Sequence, residues 1–379
     1  MSSYWELESF YSPQDIIIAG GGFAGLWSAY YLKKINPHLK ILIIEKNTFP
    51  TGASTRNAGF ACFGTVTELM SDAKISGTEK MLDLVTYRHK GLKKINKAFS
   101  PEEINYKQHG GYELITGRQY TSTRQVEDDI NWLNHSLQQT VGHKNIFRLA
   151  DKKIRQFNFQ NTAHLIENKL EAQLHPGLLM QVLIRRLQVM GVTMMTGTEL
   201  KSFDEINGDL LIQTNAPAPF TTRQLLICTN GLAGELLPDN KIVPARGQVL
   251  VTSPIKDLSF KGTFHYDEGF YYFRNIGNRV LLGGARNKAF AEEQTTDLLI
   301  TEAVQQELER FLRDIVLPGQ TYTIEHRWSG IMGMGKDKFP VIKEIQPNCF
   351  CLVGLGGMGV ALAPLAGEQV AEMMTKARS

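Results

Sequence analysis

The sequence predicts an α/β fold in which a parallel sheet flanked by helices carries a second, mainly antiparallel β domain inserted into it. Strand and helix patterns alternate along the chain without internal repeats, which is typical of a parallel sheet. Between residues 241 and 290 the pattern changes to short β-rich segments with aromatic residues, which indicates the insertion. A chain of 379 residues, 42% of them hydrophobic, is long enough for two domains.

The first strand-helix-strand unit is the clearest part of the predicted sheet. It consists of the strand DIIIA (15–19), the helix FAGLWSAYYLKKI (23–35) and the strand KILIIE (40–45). Residues 176–191 predict a later helix that runs into a strand, and LLICTN (225–230) predicts another apolar strand. The expected division is a discontinuous first domain of residues 1–90, 145–240 and 325–379, and a second domain of residues 91–144 and 241–324.

Charge and composition exclude several classes of protein. The 41 basic and 38 acidic residues are spread along the chain without a basic tract, so no nucleic-acid partner is expected. The N-terminus carries acidic residues and no apolar core, so it does not predict a signal peptide. Residues 350–367 are uncharged, but five glycines and Pro364 interrupt them, so no transmembrane segment is expected.

The spacing of cysteine and histidine predicts neither a disulfide framework nor a metal site. We therefore expect no bound metal, a reducing cytoplasm as the location, and cysteines that serve as small buried residues. The four cysteines are Cys62, Cys228, Cys349 and Cys351.

A glycine motif lies between the first strand and the first helix. Gly20, Gly22 and Gly25 form GxGxxG, and Glu45 ends the next strand 20 residues after Gly25. Glycine lets a pyrophosphate lie against the backbone at a helix N-terminus, and the acidic side chain accepts hydrogen bonds from a ribose. Glycine turns are common, but the strand, the helix and the terminal acid together predict a dinucleotide site. The motif leaves NAD and FAD both open.

The segment TGASTRNAGFACFG (51–64) bears on the choice between NAD and FAD, because its small residues let the backbone approach a large ring closely. Its alternative interpretation is a surface loop. The part GASTRNAGF resembles the segment under the flavin in the D-amino-acid oxidase family of FAD-dependent oxidoreductases, which includes glycine, sarcosine and γ-glutamylputrescine oxidases. Segments similar to the family's follow in the same order along the whole chain, at 175–192, 225–231, 243–250, 327–330, 337–342 and 353–368.

The resemblance implies FAD as the cofactor, and non-covalent attachment, because the chain lacks the cysteine and the histidine to which related enzymes attach flavin. The C-terminal glycines precede a helix whose N-terminus would stabilise the negative charge of a reduced flavin. Motif and resemblance together place these residues at the cofactor: Gly20, Gly22, Phe23, Ala24, Gly25, Glu45, Lys46, Ser54, Thr55, Arg56, Asn57, Ala58, Gly59, Leu200, Thr229, Gly231, Gly330, Gly356, Gly357, Met358, Gly359 and Val360.

The segment GFYYFRN predicts the substrate side. Period-2 alternation places Tyr272 and Arg274 on one face of a strand together with Phe270. An arginine and a tyrosine can hold a carboxylate by charge-assisted hydrogen bonds, although a solvated strand face fits the same pattern. Arg246 and Arg286 compete with Arg274 for this role.

Two departures from the family bear on the substrate and on the electron acceptor. Met332 stands where the amino-acid-oxidising members carry a carboxylate-binding arginine, so the resemblance does not extend to a free α-amino acid. Leu281 or an apolar neighbour stands where sarcosine oxidases carry an oxygen-activating lysine. Both O2 and a respiratory acceptor therefore stay open.

The resemblance implies oxidation of a C–N bond in an amine or N-substituted amino acid, by hydride transfer to the flavin N5 and hydrolysis of the resulting imine. Oxidation of a 2-hydroxy acid is an alternative, which would need His265 as the base for the hydroxyl proton. A third hypothesis is a flavoprotein that binds a small molecule without turnover.

Overall fold

The computed structural model describes residues 2–117, 119–120, 122–237 and 242–377. The chain divides into two compact units, each built from separate stretches of sequence. Unit 1 comprises Met1–Thr55, Pro176–Ala245 and Ile331–Ser379, and unit 2 comprises Arg56–His175 and Arg246–Gly330. Residues 56–90 and 145–175 thus lie in unit 2, outside the part of the chain to which the sequence assigned them. The assignment of functions to domains stays a prediction.

Among the described residues, the side chain of the preceding residue caps the start of three helices, at Ser3, Thr65 and Ser122; the Thr65 side chain, for example, accepts a hydrogen bond from the backbone N–H of Glu68. The predicted helices at 23–35 and 176–191 are confirmed as α2 and α8. The helices are α1 (Tyr4–Ser9), α2 (Phe23–Ile35), α3 (Ala53–Arg56), α4 (Val66–Ser76), α5 (Thr78–Ala98), α6 (Thr123–Val141), α7 (Lys152–Phe157), α8 (Pro176–Val189), α9 (Glu302–Phe311) and α10 (Gly359–Lys376). No helix in the described ranges has the length and apolarity that a membrane crossing requires.

The strands of the described residues include the predicted ones at 15–19, 40–45 and 225–230, within one to five residues at their ends. They are β1 (Gln14–Ala19), β2 (Ile41–Glu45), β3 (Phe60–Ala61), β4 (Gly111–Ile115), β5 (Phe147–Leu149), β6 (His164–Asn168), β7 (Ala172–Gln173), β8 (Thr193–Thr196), β9 (Leu200–Ile206), β10 (Asp209–Thr214), β11 (Phe220–Ile227), β12 (Val243–Thr252), β13 (Thr263–Tyr266), β14 (Tyr271–Ile276), β15 (Arg279–Gly284), β16 (Ile324–Met334), β17 (Val341–Gln346) and β18 (Cys349–Val353).

The sheet of unit 1 has the strand order β17-β18-β11-β1-β2-β8, and β10 and β9 continue from β11. Strands β18, β11, β1, β2 and β8 run parallel. The central strand β1 is an almost continuous apolar run with Ile16, Ile17 and Ile18 fully buried, as expected where helices cover both faces of a sheet. The predicted Rossmann-like fold is confirmed.

The second sheet has the strand order β16-β12-β15-β14-β13-β4-β6-β5. From β12 to β5 its pairs are antiparallel except for β13 and β4, which run parallel, so the predicted mainly antiparallel character is confirmed. An aromatic core covers one face of this sheet, where the rings of Phe264 and Phe273 stack with centroids 4.7 Å apart.

Strand β14 alternates as predicted, with one correction. Tyr271 and Phe273 belong to the aromatic core, and Tyr272 packs against a separate cluster on the opposite face. The prediction that Phe270 shares a face with Tyr272 and Arg274 is wrong. Phe270 precedes the strand in a turn, where its N–H donates to the carbonyl of Asp267, and its ring packs against the aromatic core.

Candidate active site

The glycine turn of unit 1 joins β1 to α2 with almost no free space. Gly20 has φ +113°, a conformation that favours glycine, and its N–H donates to the carbonyl of Ile44 at 2.8 Å. A Cβ added at Gly25 would lie 2.1 Å from the carbonyl oxygen of Gly20. The helix therefore starts directly against the turn, with the N–H groups of Phe23 and Ala24 in its first turn.

Glu45 lies at the end of β2, buried beside this turn. Its carboxylate accepts hydrogen bonds from the N–H of Gly21 at 3.0 Å and of Asn47 at 3.1 Å. Sequence reasoning placed Glu45 correctly next to the turn. It missed the contacts with Gly21 and Asn47, because these residues donate through the backbone N–H, which nearly every residue type has. The adjacent Lys46 is exposed.

Ser54 and Thr55 hold the next segment to the same turn. The Ser54 hydroxyl accepts from the N–H of Phe23 at 2.9 Å, and the Thr55 hydroxyl donates to the carbonyl of Pro50 at 2.7 Å. A Cβ at Gly22 would lie 3.0 Å from the Ser54 oxygen. The serine thus acts as a cap for the start of α2, a role that its sequence position alone did not show.

A second group of predicted cofactor residues lies at the carboxyl ends of β11 and β18. The Asn230 side chain accepts from the N–H of Gly354 at 3.0 Å and of Leu355 at 3.3 Å, which ties the two loops together. Gly231 packs so closely that an added Cβ would lie 2.8 Å from Ile331. Asn230 was missed because nothing local marks it.

Two features of unit 1 fit a bound dinucleotide. The Thr229 hydroxyl is buried and has no hydrogen-bond partner among the described residues. Helix α10 starts at Gly359 without a side-chain cap, so the N–H groups near Val360 are left to bind a negatively charged group. Hydrogen-bonding groups that lack a partner within the described chain are expected where the polar edge of a cofactor binds. The other predicted contacts here are Leu200, at the start of β9, and Gly356, Gly357 and Met358, in the loop before α10.

In unit 2, the segment from Arg56 to Gly59 is fixed by polar contacts. The Arg56 guanidinium donates to the carbonyl of Ser329 at 2.8 Å, and the Trp328 indole donates to the carbonyl of Arg56 at 2.9 Å. These bonds bring Arg56 next to the chain at Gly330. The Asn57 side chain accepts from the N–H of Gly59 at 2.9 Å, in a local turn.

Tyr272 lies in a small apolar cluster on the non-aromatic face of the second sheet. The cluster consists of Ala58, Val249, Val251 and Leu281, with Phe60, Tyr272 and Trp328 packed against it. The ring of Tyr272 needs glycine opposite it, because a Cβ at Gly283 would lie 2.7 Å from its hydroxyl oxygen. Burial raises the pKa of Tyr272 to about 12, with only partial compensation from Arg286, so its hydroxyl is a neutral donor.

Arg274 lies two residues further along β14 and is 7% exposed. Its Nε has no hydrogen-bond partner, and no carboxylate of the described chain pairs with its guanidinium. Burial lowers the pKa of Arg274 to about 10, which still leaves the side chain charged at neutral pH. The structure therefore contains a buried cation without a protein counter-ion.

The two competing arginines have other surroundings. Arg246 is buried and forms a bidentate pair with Glu293, from Nε at 2.9 Å and from Nη2 at 2.8 Å. Arg286 is half-buried and lies over the ring of Phe290, 4.7 Å from its centroid. Arg246 is therefore occupied by its own chain and does not compete with Arg274 for an anion.

His265 on β13 lies on the same face of the sheet as Tyr272, its partner in the β13–β14 register. Its Nε2 lies 2.5 Å from Oε1 of Glu171, which also accepts from the Thr263 hydroxyl at 2.8 Å. Burial opposes the charge of the imidazolium, but the Glu171 carboxylate raises the pKa of His265 above its ordinary value. Glu171 was missed because it lies 94 residues away in sequence.

The chain matches the family described as FAD dependent oxidoreductase (DAO) over residues 15–373. It belongs to this family. The protein is therefore an oxidoreductase that uses FAD, as the sequence predicted.

Particular relatives are more distant. The oxidoreductase OrdL of Rhizobium meliloti (strain 1021) is 22% identical over 95% of this chain and 82% of its own length. The gamma-glutamylputrescine oxidoreductase of Escherichia coli (strain K12) is 21% identical over 95% of this chain and 83% of its own. Among solved structures, glycine oxidase from Geobacillus kaustophilus superposes with a TM-score of 0.77 at 19% identity, covering 96% of this chain and 95% of that one.

Proposed function

We propose that this FAD-dependent oxidoreductase oxidises a C–N bond in an amine or N-substituted amino acid, and that its preferred substrate carries a carboxylate held by Arg274. The observation that carries the proposal is the buried guanidinium without a counter-ion. A buried charge is costly unless it is paired, so such a side chain is retained where a ligand supplies the partner. Glycine oxidase and gamma-glutamylputrescine oxidoreductase, by their names, act on compounds with C–N bonds.

Tyr272 would share the carboxylate with Arg274. The two residues are separated by one position on β14, so their Cα atoms lie about 6.6 Å apart on one face. Tyr272 offers a neutral O–H and Arg274 a charged N–H, and donors of both kinds bind one carboxylate well. The surrounding apolar residues Val249 and Leu281 exclude water, which strengthens both hydrogen bonds.

Bound FAD would supply the acceptor for the two electrons of a hydride. The chain supplies position: Arg274 fixes the carboxylate end of the substrate, and Tyr272 restricts its rotation. A neutral amine already carries the lone pair that assists loss of the hydride, so this reaction requires no strong base from the protein. The imine product leaves the site and hydrolyses in water.

The contact between His265 and Glu171 favours amine oxidation over the alternatives. Oxidation of a 2-hydroxy acid would need a neutral base, whereas the Glu171 carboxylate, 2.5 Å from Nε2 of His265, raises the pKa of this imidazole and so favours its protonated form. We propose that His265 shapes the substrate side of the sheet without accepting a substrate proton. Non-covalent FAD, O2 or a respiratory acceptor, and a cytoplasmic location complete the proposal.

The decisive test is anaerobic reduction of the flavin by matched pairs of substrates, with and without a carboxylate. We expect Arg274→Met to raise the half-saturating concentration of carboxylate-bearing substrates by one to two orders of magnitude, since a charged hydrogen-bonded pair is worth about 1.5–3 kcal/mol. Neutral amines should be little affected. Arg313→Met, which removes an exposed arginine of unit 2 that pairs with Asp314, is the control.

Two results would contradict the proposal. Equal losses for acidic and neutral substrates, or no loss for either, would remove Arg274 from carboxylate binding. Reduction by 2-hydroxy acids and by no amine would replace the C–N reaction with alcohol oxidation, and no reduction by any compound would favour binding without turnover.

A further inference from the structure

Three side chains of different chemistry meet inside unit 2, on the side of the second sheet that carries His265. Cys62 follows β3, Glu171 precedes β7, and His265 lies in β13. The Cys62 sulfur, a Glu171 carboxylate oxygen and a His265 ring nitrogen all lie within 4.8 Å of one another, and all three residues are buried. Sulfur, nitrogen and oxygen donors thus converge from three separate segments of the chain.

The surroundings of these three residues, here called the Cys62 cluster, are polar and rich in carboxylates. A small internal cavity borders Glu171 and His265 and is also lined by Thr65 and Glu113. Burial raises the pKa of Glu113, with partial compensation from its hydrogen bonds with Thr67. The cavity has room for about one water molecule beside the cluster.

The carboxylates near the Cys62 cluster can balance the charge of a cation. Glu68 is paired with Arg88 at 3.2 Å, so this arginine is already balanced by a carboxylate. The Glu171 carboxylate contacts the imidazole of His265 and the Thr263 hydroxyl, and Glu113 contributes a second carboxylate nearby. A divalent cation would balance the Glu171 carboxylate together with a Cys62 thiolate, with His265 neutral.

We propose that Cys62, Glu171 and His265 form a binding site for a divalent cation of the zinc class. Zinc accepts this mixture of donors, at about 2.3 Å for sulfur and about 2.0–2.2 Å for nitrogen and oxygen. Magnesium and calcium prefer oxygen donors only, so the thiol selects against them. The fourth position of a tetrahedral ion would face the cavity beside Glu113, where a water molecule can bind.

Binding requires a small rearrangement and free lone pairs on the donor atoms. Donors on a tetrahedral zinc ion lie about 3.3 Å apart, so the 2.5 Å separation between Glu171 and His265 must widen by several tenths of an ångström. The Cys62 sulfur would bind as the thiolate, and the His265 nitrogen would bind without its proton, so zinc binding would depend on pH. Cys62 lies three residues after Gly59, so the ion would anchor the end of the segment 56–61 to β13.

The test is the zinc content of the FAD-loaded protein, measured by elemental analysis after growth with zinc and gel filtration. We expect about one zinc ion per chain, and X-ray absorption at the zinc edge showing one sulfur neighbour at about 2.3 Å. Titration of the metal-free protein with Zn2+ should give one site. Less than one tenth of an ion per chain with no binding on titration, or bound zinc without a sulfur neighbour, would overturn the proposal.

Two variants test whether Cys62 and Glu171 are ligands, and a third variant is the control. Cys62→Ser and Glu171→Gln should each raise the dissociation constant for Zn2+ by more than about 10–100-fold, the loss that removal of a group outside the ligand set already causes. Cys228→Ser, at a buried cysteine outside the cluster, should leave zinc binding unchanged. Unchanged binding in both ligand variants overturns the assignment. If a variant fails to fold, the X-ray absorption spectrum of the wild-type protein still tests the assignment, because it shows whether a sulfur atom is bound to the zinc.

Discussion

Arg246 and Arg274 are both buried in unit 2, with exposed fractions of 4% and 7%, yet their surroundings differ. Arg246 donates two hydrogen bonds to Glu293, and Gln248 donates a further one to the same carboxylate. Arg274 has no carboxylate partner among the described residues, and its Nε is unbonded. Burial alone therefore does not separate an arginine that is paired within its own chain from the arginine that we propose for a ligand, whereas the presence of a carboxylate partner does.

Loss of a buried ion-pair partner is the largest effect that this comparison predicts. Arg246→Met would leave Glu293 buried and unpaired, which costs about 3–5 kcal/mol of unfolding free energy. The shift in the midpoint of urea unfolding measures it. The double variant Arg246→Met with Glu293→Leu should recover much of the loss, because it removes both charges together; no recovery would show that the pair is not the source.

Glu45 extends the comparison to a carboxylate that pairs with backbone N–H groups. We expect Glu45→Ala to weaken FAD binding by about 1.5–3 kcal/mol, because it removes both a ribose acceptor and the bond that orders the N–H of Gly21. Fluorescence of released FAD during dilution measures the affinity. Glu205→Ala, at an exposed carboxylate of β9 in the same unit, is the control, and an unchanged affinity in Glu45→Ala would remove Glu45 from the cofactor site.

Arg274→Met should have the smallest effect on stability, although Arg274 is nearly as buried as Arg246. Methionine fills a similar volume without a charge to desolvate, so the unfolding free energy should stay equal or rise by about 1 kcal/mol. The same urea experiment on the ligand-free protein decides it. A loss as large as that of Arg246→Met would make Arg274 a structural residue.

Sequence predicted the parts of the fold that depend on neighbouring residues. The unit β1-α2-β2 was predictable because an apolar run, a glycine turn and an amphipathic helix follow one another directly. Glu45 was predictable for the same reason, since its distance from Gly25 is fixed by one helix and one strand. Phe270 was misplaced because strand alternation was extended into a turn, where it no longer holds.

Long-range pairs could not be predicted from the sequence. Three arginines of unit 2 carried the same signal, and only the fold shows that Glu293 pairs with Arg246 while Arg274 is left without a partner. Glu171 reaches His265 across 94 residues, and Asn230 reaches Gly354 across 124. Such contacts depend on the packing of whole sheets, which no local pattern records.

The register of the β14–β15 hairpin fixes the position of Arg274 and the position of the aromatic core together. Ile276 pairs with Arg279, so only Gly277 and Asn278 form the turn, and a turn this short fixes the register. A slip of one residue would turn Phe273 away from the stacked rings and place Arg274 among them. A deletion or insertion of one residue in β14 would thus disrupt the aromatic core and the substrate contact proposed for Arg274 together, which leaves point substitution as the route by which this part of the chain can evolve.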